Sequence, residues 1–152
     1  METKVNALNV KIAKCHNNAK IPAYGRPGDM CCDITAVDYH YDPVNDNFVY
    51  HTGLKFEIPE GYGMLLFPRS SNCTTEAYMT NHVGIIDSGY RGEVLVHFKN
   101  RHRNIKTPPY KIGDRVCQIC ILPYPIINWV EVKEDELSKT ERGEGGHGST
   151  GK

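Results

Sequence analysis

Gly53-Leu54-Lys55-Phe56-Glu57-Ile58-Pro59-Glu60-Gly61-Tyr62-Gly63-Met64-Leu65-Leu66-Phe67 is the stretch on which the fold turns. Leu54, Phe56 and Ile58 alternate with Lys55 and Glu57, and a period of two puts the apolar set on one face of a β-strand. Glu60-Gly61-Tyr62-Gly63 supplies a turn, and the apolar run that follows predicts a strand covered on both faces. The same pattern recurs on either side. Residues 8–12, 48–50 and 93–100 alternate, residues 115–122 form a second nearly continuous apolar run, and residues 128–133 alternate Trp129, Glu131 and Lys133 against Val130 and Val132. Val and Ile total 23 while Ala and Leu total 13, a bias toward strand formers, and 14 Gly with 9 Pro provide the turns. The helical signal is confined to residues 71–78, read as one short helix, and residues 134–141, read as a loose turn. Many short strands between Gly/Pro turns predict a β-sandwich, jelly roll or barrel.

A chain of 152 residues suits one core. Eighteen Lys plus Arg balance 18 Asp plus Glu, which argues against a duplex nucleic-acid binder but leaves room for a small anionic ligand held by a few local charges. No run approaches the length of a membrane span, and residues 1–15 carry charges where a secretion signal needs an apolar core. The six cysteines therefore read as free thiols of a cytoplasmic protein, with a nuclear site as the alternative and secretion excluded. Residues 1–137 read as the single β-fold domain. Residues 138–152 read as a flexible, polar, glycine-rich segment that burial alone cannot order.

That segment contains Gly146-His147-Gly148-Ser149-Thr150-Gly151-Lys152, which matches the start of a P-loop without the strand and helix that a P-loop needs. Its glycines and hydroxyls still suit phosphate oxygens. Cys117-Gln118-Ile119-Cys120 has zinc-knuckle spacing, but in a strand residues three apart face opposite ways, so a packing role is the reading adopted. Asp87 follows two isoleucines and precedes a Ser-Gly turn, which places an acid at a hairpin edge within reach of a cleft.

Five segments, in order, resemble the five motifs of the trimeric dUTPases, the dUTP nucleotidohydrolases. They are Gly28-Asp29-Met30-Cys31-Cys32-Asp33-Ile34-Thr35-Ala36; Pro68-Arg69-Ser70-Ser71; residues 81–93; Gly113-Asp114-Arg115-Val116-Cys117-Gln118; and residues 142–151. The resemblance departs from the usual pattern at Cys31-Cys32, at Ser71 where Gly is common, and at His147 where many members carry Phe. It implies a distorted jelly-roll-like β-barrel of short strands with at most one short helix. It also implies hydrolysis of dUTP to dUMP and pyrophosphate, which keeps uracil out of DNA and supplies dUMP for dTMP synthesis.

Residue by residue, the resemblance makes Asp87 the general base for a water that attacks the α-phosphorus. Arg69, Ser70, Gln118 and Arg142 are implied to bind the triphosphate, and Ser71 is counted among the substrate-binding residues. Asn81 and the backbone of Gly84, Ile85 and Ile86 are implied to read uracil, Tyr90 to lie against the deoxyribose, and Leu95 to join the substrate contacts. His147, Gly148, Ser149 and Thr150 are implied to close as a lid over base and phosphates. Magnesium (Mg2+) is implied to ride on the phosphates, with Asp33 touching it through a water only. The implied assembly is a homotrimer whose sites are shared between subunits, with no nucleic-acid or membrane partner. Two alternatives stand beside it: a dCTP deaminase of the same fold, disfavoured by His97 where those enzymes carry a glutamate, and a non-catalytic, nucleotide-switched partner-binding trimer.

Overall fold

A computed structural model of the chain describes residues 7–146. Its strands are β1 (Lys11–Lys14), β2 (Ala23–Tyr24), β3 (Cys32–Thr35), β4 (Asp38–Asp42), β5 (Asn47–His51), β6 (Leu54–Glu57), β7 (Tyr62–Phe67), β8 (Ala77–Met79), β9 (Gly84–Ile86), β10 (Leu95–Asn100) and β11 (Arg115–Pro123). They form a five-stranded sheet in the order β2-β3-β11-β7-β9, a four-stranded sheet in the order β4-β5-β10-β8, and the pair β1-β6. Every pairing is antiparallel. The jelly-roll-like reading agrees with this layered arrangement.

The core lies where the inner faces of the two larger sheets meet. Ile34, Met64, Leu66, Val116 and Ile119 come from one sheet, and Phe48, Tyr50, Met79, Val96 and Phe98 from the other. In β6, Leu54 and Phe56 are buried while Lys55 and Glu57 are exposed, as the alternation predicts. The long apolar strand β11 sits between β3 and β7, and a register shift between Arg115 and Cys117 breaks its alternation, so Val116 and Cys117 are both buried. At the centre Tyr50, Phe98 and Tyr110 pack edge-on, with centroids 5.0–6.0 Å apart. The Tyr50 hydroxyl donates to the Tyr110 carbonyl (3.0 Å) and accepts the Tyr110 N–H (2.9 Å). A loop is thereby tied into the core.

Three expectations change. Residues 71–78 are not one helix: a 3-10 turn covers Ser70–Thr74, and Ala77–Met79 is a strand that pairs with β10. The loose turn expected at residues 134–141 shortens to a 3-10 turn, Glu134–Glu136, and no α-helix occurs among the described residues. Residues 128–133 form no strand. Their alternation is real, but no strand of the same chain lies alongside, and Trp129 (84% exposed) and Val130 (74%) stand in solvent. All six cysteines are unpaired, and no helix among the described residues is long and apolar enough to cross a membrane.

Candidate active site

Asp33, Arg69, Arg115 and Gln118 are far apart in sequence and meet where β3, β11 and β7 run side by side. The register places Gln118 opposite both Asp33 and Phe67, two residues before Arg69. The Asp33 carboxylate accepts from Arg69 Nε (2.7 Å) and Nη2 (3.5 Å) and from Arg115 Nη1 (2.9 Å). Arg69 Nη1 also donates to Ser71 Oγ at 3.2 Å, and Gln118 Nε2 donates to the Pro68 carbonyl at 3.1 Å. The carboxylate fixes the two guanidiniums and offsets only one of their charges, so the edge stays net positive. These side chains line a cleft of about 430 Å³ together with Arg26 and Asp29. Such a cleft is suited to a polyanion. Ser70 and Ser71 begin the 3-10 turn beside it and are exposed.

Arg115 was given no role from sequence, although it lies inside a quoted motif. The signal that assigns it is its strand position: the bulge after Arg115 turns the chain so that its guanidinium meets Asp33.

The second group lies on β9 and the turn after it. A Cβ on Gly84 would come within 3.1 Å of Leu66 Cβ and 3.3 Å of Asn81 Nδ2, so a glycine lets the Asn81 amide lie against the strand. Ile85 is 71% exposed on this edge strand, Ile86 is half-buried, and Asp87 is exposed at the strand's end. The turn is pinned by Tyr90 N–H to the Asp87 carbonyl (3.1 Å) and by Arg91 Nη1 to the Ser88 carbonyl (2.6 Å). At its foot Glu93 Oε1 accepts the Gly53 N–H (2.8 Å), and Oε2 lies 3.1 Å from His51 Nδ1. Leu95 opens β10 opposite His51 and is half-buried. His97, two residues on, is half-buried as well, and burial holds its imidazole below the ordinary histidine pKa.

The chain brings these two groups together only in part: Gly84, with Asn81 against it, pairs with Leu66 toward the Arg69 end of β7, while Asp87 lies further off. Ile86 pairs with Met64 near the start of β7, whereas Arg69 follows the strand's far end. Five residues of extended chain span roughly 16 Å. Arg142 is exposed and its Nε donates to the Gly145 carbonyl at 2.9 Å. His147, Gly148, Ser149 and Thr150 lie outside the described residues.

Among the described residues no three His, Cys, Asp or Glu side chains cluster to hold a metal ion. The three N–H contacts to Asp33 leave lone-pair room for a metal-bound water.

A family model for dUTPase matches residues 17–151. The chain belongs to the dUTPase family. A deoxyuridine 5′-triphosphate nucleotidohydrolase of Dictyoglomus turgidum is 36% identical over 151 residues, covering 95% of this chain and 99% of its own. One from Alkaliphilus metalliredigens is 36% identical over 147 residues, covering 95% and 98%. The dUTPase of Staphylococcus bacteriophage 80alpha, solved with dUpNHpp, superposes with a TM-score of 0.78 at 27% identity, covering 95% of this chain and 99% of its own. The dUTPase of phage phi11 of S. aureus, described with a coordinated structural Mg(II) ion, shares the fold at a TM-score of 0.68 and 22% identity, covering 86% and 100%. All five quoted motifs, residues 28–151, fall within the matched residues.

Proposed function

We propose that the chain hydrolyses dUTP to dUMP and pyrophosphate, with Asp87 as the base. The carboxylate takes a proton from a water whose oxygen attacks the α-phosphorus. The bond from that phosphorus to the bridging oxygen breaks, and pyrophosphate leaves with the electron pair. Arg69, steered by Asp33, Ser71 and their neighbours Ser70, Arg115 and Gln118, stabilises charge that gathers on the bridging and leaving oxygens. The observation that carries this reading is the convergence of three motif segments on one net-positive cleft around Asp33.

Asn81 and the backbone of Gly84, Ile85 and Ile86 read the uracil edge, Tyr90 lies against the deoxyribose, and Leu95 supports that pocket. Magnesium enters with the nucleotide, neutralises phosphate charge, and meets Asp33 through a water. Arg142, His147, Gly148, Ser149 and Thr150 act as a lid, carried by residues 138–152 beside a domain of residues 1–137. The protein works in the cytoplasm, where free thiols persist.

The working form is a homotrimer with shared sites. Two features support it. Asp87 follows Ile86, which pairs with Met64, five residues before Arg69. Residues 126–132 also present Ile126, Ile127, Trp129, Val130 and Val132 to solvent, an apolar arm that a neighbouring copy would cover.

Release of pyrophosphate from dUTP, dCTP, dTTP and UTP tests the reading. The expected result is turnover of dUTP at least about 100-fold above the others in kcat/KM. Ammonia release from dCTP, or no turnover of any of the four, would contradict it.

A further inference from the structure

We propose that Gly92 sets the discrimination between deoxyribose and ribose, by leaving empty the space in which the Tyr90 ring lies. The proposal rests on the placement of Tyr90 against the sugar. The ring does not point away from the hairpin: it folds back over Gly92, and its hydroxyl donates to the Glu93 carbonyl at 3.0 Å. A Cβ on Gly92 would overlap the Tyr90 hydroxyl oxygen outright and would sit 2.5 Å from Cζ and 3.0 Å from Cε2. No other residue type leaves the ring where it is.

The backbone around the ring is held independently of it. Arg91 Nη1 donates to the carbonyls of Ser88 (2.6 Å) and Tyr90 (3.1 Å), and the Glu93 carboxylate takes the Gly53 N–H (2.8 Å). Gly92 is outside the left-handed region, so an alanine is sterically acceptable to the backbone itself. The conflict is confined to the far end of one aromatic side chain, which yields by swinging aside. A displaced ring no longer fills the volume that a 2′-hydroxyl would enter. Discrimination of this kind lives in the space that a site denies to the wrong substrate.

The test compares kcat/KM for dUTP and UTP in wild type, Gly92→Ala, Tyr90→Ala and the double variant, each with its melting temperature. The expected result is that Gly92→Ala folds and its dUTP/UTP ratio falls about ten-fold or more. In the Tyr90→Ala background the same substitution should change the ratio less than about two-fold, because its effect passes through the ring. A folded Gly92→Ala with an unchanged ratio, or losses that add in the double variant, would overturn the proposal. Should Gly92→Ala fail to fold, recovery of folding in the double variant supports the clash with the ring, and failure of both overturns it. An unchanged ratio in Tyr90→Ala alone would instead remove Tyr90 from the sugar site, a separate result.

Discussion

Asp33 and Asp87 are both aspartates of the quoted motifs, yet their surroundings differ. Asp33 is bound to two guanidiniums at 2.7 and 2.9 Å, so its charge is committed to aiming Arg69 and Arg115. Asp87 stands exposed at the end of β9, free to meet a water. Asp87→Asn keeps the shape and removes the proton acceptor, so turnover should fall about 10²–10⁴-fold. Binding of dUpNHpp, measured by calorimetry, should stay within a few-fold, and near-normal turnover would remove Asp87 from the base role. Asp33→Asn should act differently. It leaves Arg69 in place but no longer steered, so kcat/KM for dUTP should drop about ten-fold or more while the melting temperature moves little.

At the scale of the element, the alternating segments were readable because one face of each is buried within this chain. β6 and β10 behave as their patterns predict: in β10, Val96 and Phe98 point inward and Leu95, His97 and Lys99 do not. Residues 128–133 carry an equally clear pattern and form no strand, because periodicity does not supply a neighbouring strand to pair with. The short strand Ala77–Met79 was hidden in a helical-looking stretch, since three residues are too few to show a period and pairing with β10 decides them. Motif order singled out the candidate site residues, whereas the contact of Arg115 with Asp33 depends on the bulge beside it.

The Tyr50–Tyr110 clamp was equally invisible, because it joins a strand to a loop sixty residues away. Tyr50→Phe removes both hydrogen bonds and orphans a buried N–H and a carbonyl, at a cost of about 1–3 kcal/mol. Urea or thermal unfolding should show it as a melting temperature lower by roughly 3–10 °C. Burial raises the Tyr50 and Tyr110 phenols above their ordinary value and pushes the Cys117 thiol up to about 12. Raised folded-state values mean that the unfolded chain ionises first. Their contribution to stability is then whole below about pH 8.5, where the unfolded thiol begins to ionise, and is lost as pH climbs through the folded values. The Phe variant should therefore lose less stability than wild type between pH 9 and 11, on scales set by about 10 for an unfolded phenol.

For the whole molecule, the proposal is that each site is shared between chains. Residues 142–146 touch the β-fold through no buried residue, so a chain ending at Glu141 should keep its melting temperature while dUTP turnover collapses. A full-rate truncated enzyme would show that the segment takes no part in catalysis. The most direct measurement mixes two inactive chains, Asp87→Asn and the chain ending at Glu141, unfolds them together and refolds them. In a shared-site trimer the first variant still lends an intact lid, and the second an intact Asp87. Some mixed sites are then complete, and dUTP hydrolysis should return to a sizeable fraction of wild type, while each variant refolded alone stays inactive. A mixture that remains inactive, although light scattering shows that mixed trimers have formed, would mean that each site is built within a single chain, contrary to this account.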